Sequence, residues 1–240
     1  MTSVQTLADR WAAPLVALLT RPTTTYREFT LLSTGKLVGS LTVHTGRIAD
    51  KPVRVVDTRL VIPDLSIDSV MLHAFAPGDS ASPHLLSDLA SLTEDGEVSW
   101  HFHVDLMPRI DLVGSLRHLE SVFTPLTNMY DSAFAIAGMR PIQIPPRLRA
   151  LTSAWLVGAI VSPDDDDAID AVFNGYVRQW QQCVTEPPET AMDAMALASR
   201  DRHHRAAMFN PETDIVWEFL ADLIGQDDVD TILEAIKDHD

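Results

Sequence analysis

The sequence predicts an α+β fold in one domain, residues 1–240, in which an antiparallel sheet carries helices on its faces. Three observations lead there. The first half holds β-rich segments joined by short turns, the mark of a meander. The second half reads mostly as helix, with apolar residues three and four apart. Hydrophobic residues make up 46% of the 240, enough for a sizeable core, and no repeat or linker divides the chain.

Residues 4–20 read as an amphipathic helix, with Leu7, Trp11, Leu15 and Leu18 on one side. Four β segments follow at Tyr26–Leu32, Lys36–Thr45, Val53–Ile62 and Ser69–Phe75, broken by turn signals such as Ser33-Thr34-Gly35 and Pro63-Asp64. Residues 77–84, PGDSASPH, read as a loop, and 85–92 as a short helix or strand. Val98–Leu106 is the fifth β segment. Its run VSWHFHVDLMPRIDLV stops at Pro108 and turns through Arg109 into a helix, which places polar groups at a sheet rim, where ligands usually sit.

Gly114–Ala137 has Leu116, Leu119, Phe123, Leu126 and Tyr130 at helical spacing, ended by Gly138 and Pro141. Pro145-Pro146 opens a segment at Arg147–Val161, within the mainly helical half, and Ser162-Pro163 stops it. Asp164–Asp167 lies at the start of the next helix, where acids complement the helix dipole. Consecutive carboxylates there cannot converge on one metal ion. Helices near 188–209, 212–224 and 227–238 close the chain.

The net charge is −16 and the isoelectric point near 4.8, which argues against nucleic acid or an anionic membrane as main partner. Residues 1–60 carry eight Lys and Arg against four Asp and Glu, a net of +4, while 61–185 and 186–240 each sum to −10. Cys183 is the only cysteine, on a helical pattern three residues after Trp180. It reads as a half-buried core residue, and a cysteine-ligated iron–sulfur or structural zinc site within one chain is excluded. A reducing, cytoplasmic compartment fits. The N-terminus, MTSVQTLADRW, has no signal-peptide character, and the longest apolar stretch, AWLVGAIV, is far below membrane-spanning length.

No Gly-rich phosphate loop, nucleophile elbow or zinc-protease motif is present, which removes most support for tightly bound NAD, flavin or ATP. His101 and His103 lie two apart on a strand and so share a face. They read as the polar side of a half-exposed strand, or as a metal pair if a third ligand arrives. His73, in VMLHAFAP, is a structural histidine or a proton donor. Asp88, in HLLSDLASL, is a solvated turn acid, or a carboxyl whose apolar surroundings raise its pKa. Asp214 lies in the first turn of a helix, where capping the dipole is the simplest role. RDRHHR, residues 200–205, can grip carboxylates or form a solvated face.

Several segments together resemble the superfamily of ferredoxin-dependent bilin reductases and red chlorophyll catabolite reductases, with the closer likeness to the chlorophyll catabolite branch. They are HLLSDLASL, HVDLMPRIDLV, TPLTNMYDSAFAIAGMRPI, PRLRALTSAWLVGAIVSP, RDRHHRAAMFNPETD and LADLIGQDDVDTILEAIKD, in order from near Pro83 to the C-terminus. VDLMPRIDL is the most specific of them. MLHAFAP is similar to the bilin reductase strand that carries an active-site histidine. The missing organelle transit peptide points to a bacterial relative.

The resemblance implies a three-layer α/β/α sandwich with a central antiparallel sheet. A linear tetrapyrrole such as biliverdin would lie between the sheet and the C-terminal helices. It also implies no tightly bound metal or organic redox cofactor, electrons delivered singly by reduced ferredoxin, and protons delivered by side chains to a substrate radical. Asp88 falls on the family's acidic catalytic position, Asp214 on a second functional acid before Gly225, and His73 on the bilin reductase histidine. The implied roles are main proton donor for Asp88, hydrogen-bonded partner or second donor for His73, and acid on the opposite ligand face for Asp214. Substrate propionates need cations, for which Arg149, Arg202 and Arg205 are the candidates. A ferredoxin docking patch would draw on Arg27, Lys36, Arg47, Lys51 and Arg54. The alternatives are a tetrapyrrole carrier or sensor without chemistry, and an unrelated α+β adaptor.

Overall fold

The computed structural model describes residues 2–94 and 96–237. In chain order the elements are helix α1 (Val4–Ala17); strands β1 (Thr20–Thr30), β2 (Leu37–Ile48), β3 (Lys51–Ile62), β4 (Ile67–Phe75), β5 (His84–Glu94) and β6 (Glu97–Met107); and helices α2 (Leu116–His118) and α3 (Thr127–Phe134). The short strand β7 (Arg140–Pro141), helix α4 (Pro146–Arg149) and strand β8 (Val157–Val161) follow. Helices α5 (Asp166–Thr185), α6 (Ala194–Met208), α7 (Val216–Ile224) and α8 (Gln226–Lys237) complete it. Residue 238, the expected end of the last helix, lies outside the described residues.

The strands form one antiparallel sheet in the order β1-β2-β3-β4-β5-β6-β8-β7. Six sequence neighbours pair as a meander because their turns are short. Ala49 and Asp50, both at positive φ, join the β2 and β3 strands in a two-residue turn whose twist matches the strands. Gly96, at φ +83°, serves the β5–β6 turn, a conformation glycine adopts without steric cost. The edge strand β1 exposes every residue but Phe29.

Strand alternation creates two layers of packing. One face sends Val53 and Val55, Leu72, Leu85 and Leu89, and Trp100, Phe102 and Val104 into a core covered by α1 and α5. Ser3 caps α1 by accepting from the Thr6 N–H, and Leu7, Trp11 and Leu15 recur along its buried side. Trp11 stacks on Phe173 of α5 at 4.3 Å and tips against Phe102. Fully burying side chains of this size contributes roughly 1.5–3 kcal/mol each. The other face packs Val56, Leu60, Phe75 and Leu86 against α6, α7 and α8. The result is an α/β/α sandwich. Among the described residues no helix is long and apolar enough to cross a membrane.

Three elements differ from the sequence expectation. Of the helix or strand expected for residues 85–92 the strand is formed, so Val98–Leu106 belongs to the sixth strand, not the fifth. Gly114–Ala137 is not one helix: a widened π turn at Leu119–Phe123 and a 3-10 turn at Thr124–Leu126 separate α2 from α3. Pro125 explains the break, since it has no N–H and its ring collides with the carbonyl four residues back. Arg147–Val161 is helical only to Arg149, and Val157–Val161 is a strand against β6. Cys183 is buried, at 4% exposure.

Candidate active site

The face opposite α1 and α5 carries the polar residues. Along β6 the pleat that buries Trp100, Phe102 and Val104 turns His101, His103 and Asp105 the other way. On β5 it turns Leu85 and Leu89 into the core and Asp88 outward; on β4 it does the same for Leu72 and His73. Register then aligns them: Met71 faces Asp88, Asp88 faces His103, and His103 faces Gly158. Of the leucines that flank Asp88 in sequence, Leu85 is turned into the core only, whereas Leu86 and Leu89 line the same cavity as Asp88.

These residues floor a cavity of about 330 Å³ between the sheet and the C-terminal helices, within the roughly 300–1,000 Å³ range of small-molecule sites. Asp214, Met208, Phe209, Trp217 and Leu220 roof it, and Ile144, Leu148 and Thr152 close one side. His73, Asp88 and Asp214 thus come together in one cavity. The His73 side chain is 3% exposed, and its Nε2 lies 3.5 Å from Asp88 Oδ1. The Asp88 side chain is 41% exposed. Asp214 accepts the Val216 N–H at 3.1 Å, but it precedes α7, whose N-cap is Ile215 without a side-chain cap, so it is not the first-turn residue the sequence suggested. It stands in the cavity roof, where burial raises its pKa against that hydrogen bond; nearby Asp88 pushes the same way and His103 opposes it.

Among the described residues, His103 Nε2, Trp217 Nε1 and His73 Nδ1 in this wall are buried without a protein partner. Such groups carry a desolvation cost that a polar ligand relieves. Asp105 was not expected. It is buried, accepts from the Ser153 N–H (2.9 Å) and hydroxyl (2.5 Å), and lines the cavity. Burial pushes its pKa up to about 6, against those hydrogen bonds and the charge of Arg149. The alternation His101, His103, Asp105 was the available signal for its placement. Among the described residues no three His, Cys, Asp or Glu side chains are grouped to hold a metal ion.

The arginines stand elsewhere, and among the described residues no Lys or Arg lines the cavity. Arg149 is exposed beside Leu148 and donates to the Ala154 carbonyl at 3.5 Å. Arg202 and Arg205 line a separate cavity of about 480 Å³ with Arg54 and Phe75. Arg205 is 2% exposed and grips Asp201 through Nε (3.1 Å) and a terminal nitrogen (2.5 Å). Of the N-terminal cations, Arg27 pairs with Asp228 at 2.5 Å and Arg54 donates to the Ala235 carbonyl at 3.2 Å.

Arg109 also differs from expectation, because it presents nothing at the rim. It is 1% exposed and donates to the carbonyls of Pro77, Gly78 and Ser82, tying down the 77–83 loop. Its Nε lies 3.2 Å from Asp201 Oδ1. His84 completes the cluster: the Ala76 N–H donates to Nδ1, which leaves the ring proton on Nε2, 2.7 Å from Asp201. Burial and then the Arg109 charge hold His84 well below its ordinary pKa. Burial alone would raise the Asp201 carboxyl, but His84, Arg109 and Arg205 together hold it well below the usual carboxylate range.

The fold and this cavity define an α/β/α sandwich with an acid–histidine cleft under its C-terminal helices. No protein-family model and no curated protein sequence matches the chain. Among solved structures, the chain is similar to phytochromobilin synthase from tomato, crystallised in complex with biliverdin. The two share 13% identity over 99% of this chain and 85% of that chain, with a TM-score of 0.71. At that identity the likeness shows the fold.

Proposed function

We propose that this protein reduces a linear tetrapyrrole, with electrons from reduced ferredoxin and protons from its own side chains. The observation that carries the reading is the convergence of Asp88, His73 and Asp214 in a cavity between the sheet and the C-terminal helices. It is supported by a fold similar to a protein solved with biliverdin. The motif VDLMPRIDL favours the red chlorophyll catabolite branch of the superfamily, in a bacterial relative.

The chemistry follows from the groups present. Reducing one carbon–carbon double bond of the tetrapyrrole consumes two electrons, taken one at a time from two reduced ferredoxins, and two protons. A protonated conjugated bilin accepts an electron more readily than a neutral one. Asp88, half exposed to the cavity, is the main donor. His73 stands behind it at 3.5 Å as partner or second donor. Asp214, whose pKa burial raises, serves the opposite ligand face. Pyrrole and lactam N–H groups can donate to the carboxylates, and Trp217 Nε1 can donate to a lactam oxygen. With no cation in the wall, propionates must leave through the mouth, and Arg149, beside the lining residue Leu148, is the nearest of the three expected arginines by sequence. Ferredoxin would dock on the basic N-terminal third.

The test is an anaerobic absorbance titration with biliverdin, followed by reduced ferredoxin. A bound spectrum that shifts to shorter wavelength as conjugation is lost supports the reductase. Asp88→Asn is expected to keep binding within a few-fold and to lower turnover by about 10²-fold or more. Full turnover in that variant overturns the assignment of Asp88. Binding without turnover in the wild-type protein favours a carrier or sensor, and no binding sinks the tetrapyrrole reading.

A further inference from the structure

The reductase reading leaves His101, His103 and Asp105 of the cavity without a role, and His103 has the most constrained seat. His103 sits directly opposite Asp88 across the β5–β6 ladder, where facing side chains stand about 4.5–5.5 Å apart at Cβ. Its other cross-strand neighbour is Gly158. A Cβ at Gly158 would lie 3.0 Å from His103 Cδ2 and 3.1 Å from Ile144 Cδ1, tight contacts that the ring and Ile144 would have to relieve by shifting. Its Nε2 is buried without a protein partner on a cavity-lining residue.

The charged and titratable groups around His103 come from every side. Asp88 stands on β5 and His73 on β4, with His101 and Asp105 on its own strand. Asp214 stands in the roof and responds to both Asp88 and His103. Gly158 and Ile144 contribute no charge, and Arg149 acts on the far side through Asp105.

We propose that His103 is the proton-relay residue of the cavity, seated over Gly158 to pass protons from Asp214 and solvent to Asp88 between electron transfers. This rests on the reductase reading, which requires two protons per double bond from a floor whose main donor holds one. After Asp88 gives its proton to the substrate, the imidazolium of His103, whose Nε2 bonds to neither acid, transfers a proton through cavity water to the Asp88 carboxylate and becomes neutral. The neutral ring then takes a proton by the same water path from the Asp214 carboxyl or from solvent. No electron moves in either step, and charge balances in each. His103 acts through Asp88 and is a positioning residue.

Two measurements test it. The first needs no ligand: the His103 ring is followed by NMR across pH in the wild-type protein and in Asp88→Asn and Asp214→Asn, with His103→Gln assigning the resonance. The midpoint followed in this way is expected to move when either neighbouring negative charge is removed. The second is turnover of biliverdin by reduced ferredoxin. His103→Gln keeps a donor near Nε2 but cannot titrate, and is expected to lower kcat by about 10²-fold with KM within about threefold. His103→Gly is expected to regain activity with added imidazole, and Gly158→Ala to mimic His103→Gln by displacing the ring. An unmoved midpoint, or wild-type kcat in His103→Gln, overturns the relay while leaving the reductase standing. Absence of biliverdin turnover by the wild-type protein overturns the reductase, and the reloading step with it.

Discussion

Asp105→Asn is expected to make the protein more stable above pH 6, although it removes a buried, doubly hydrogen-bonded carboxyl. Burial raises this group from 3.8 to about 6. At about 1.4 kcal/mol per unit, the ionised form therefore costs the folded state about 3 kcal/mol. The sign follows from proton counts. Between pH 3.8 and 6 the folded chain binds the extra proton and the unfolded chain does not, so stability falls as pH rises through that window and stays low above it. Asparagine imitates the protonated acid. Its oxygen can accept the Ser153 N–H, and its amide can donate to Ser153 Oγ, so no polar group is orphaned. The gain should approach 3 kcal/mol at pH 8, about 6–12 °C in Tm for a chain of this size, and vanish near pH 4. Urea unfolding followed by tryptophan fluorescence at both pH values measures it. Equal or lower stability of the variant at pH 8 would refute the reasoning, and would mean that Ser153 and Arg149 already compensate the charge.

Two other substitutions probe groups away from the cavity. Asp201→Asn keeps the shape of the buried cluster but strips the counter-charge from Arg109 and Arg205, and should cost about 3–5 kcal/mol in thermal or chemical unfolding. His118 is buried against Phe123 with neither ring nitrogen partnered, and burial pushes its pKa down to about 4. That depressed value means stability held above pH 6.5 is lost as pH falls toward 4. His118→Leu should raise stability by about 1–3 kcal/mol and flatten the urea midpoint between pH 7 and 5, whereas an unchanged pH slope would contradict this account.

The strands and α1 were legible in the sequence because each has one buried face, and a period of two or of 3.6 records it. Val157–Val161 was not. Four of its five residues are buried, so the run has no alternation and reads equally as a buried helix. Pro125 was in plain view, but leucines at helical spacing outweighed it; Leu116, one of them, is 63% exposed. His73, Asp88 and Asp214 could each be given a bland role from local sequence. Pairing register brings His73 and Asp88 onto one floor, and the packing of the C-terminal helices brings Asp214 over it; both depend on long-range partners. Asp105 was hidden for a different reason: its burial is a tertiary effect, and its hydrogen-bond partner Ser153 lies 48 residues away. The Arg109 cluster likewise depends on Asp201, which no local pattern connects to Pro108.

The position of β8 in the sheet has a consequence for the order of assembly. Strands β1 to β6 each pair with a sequence neighbour, so they can form hairpin by hairpin with short loop closures. The β8 strand cannot join until residues 108–156 have been laid across the sheet, the largest gap between paired strands in the fold. Gly158 arrives with it. The meander can therefore set Asp88 beside His103 early, while the seat that holds the imidazole forms only when that long excursion closes. Activity on refolding should accordingly lag behind the formation of β structure.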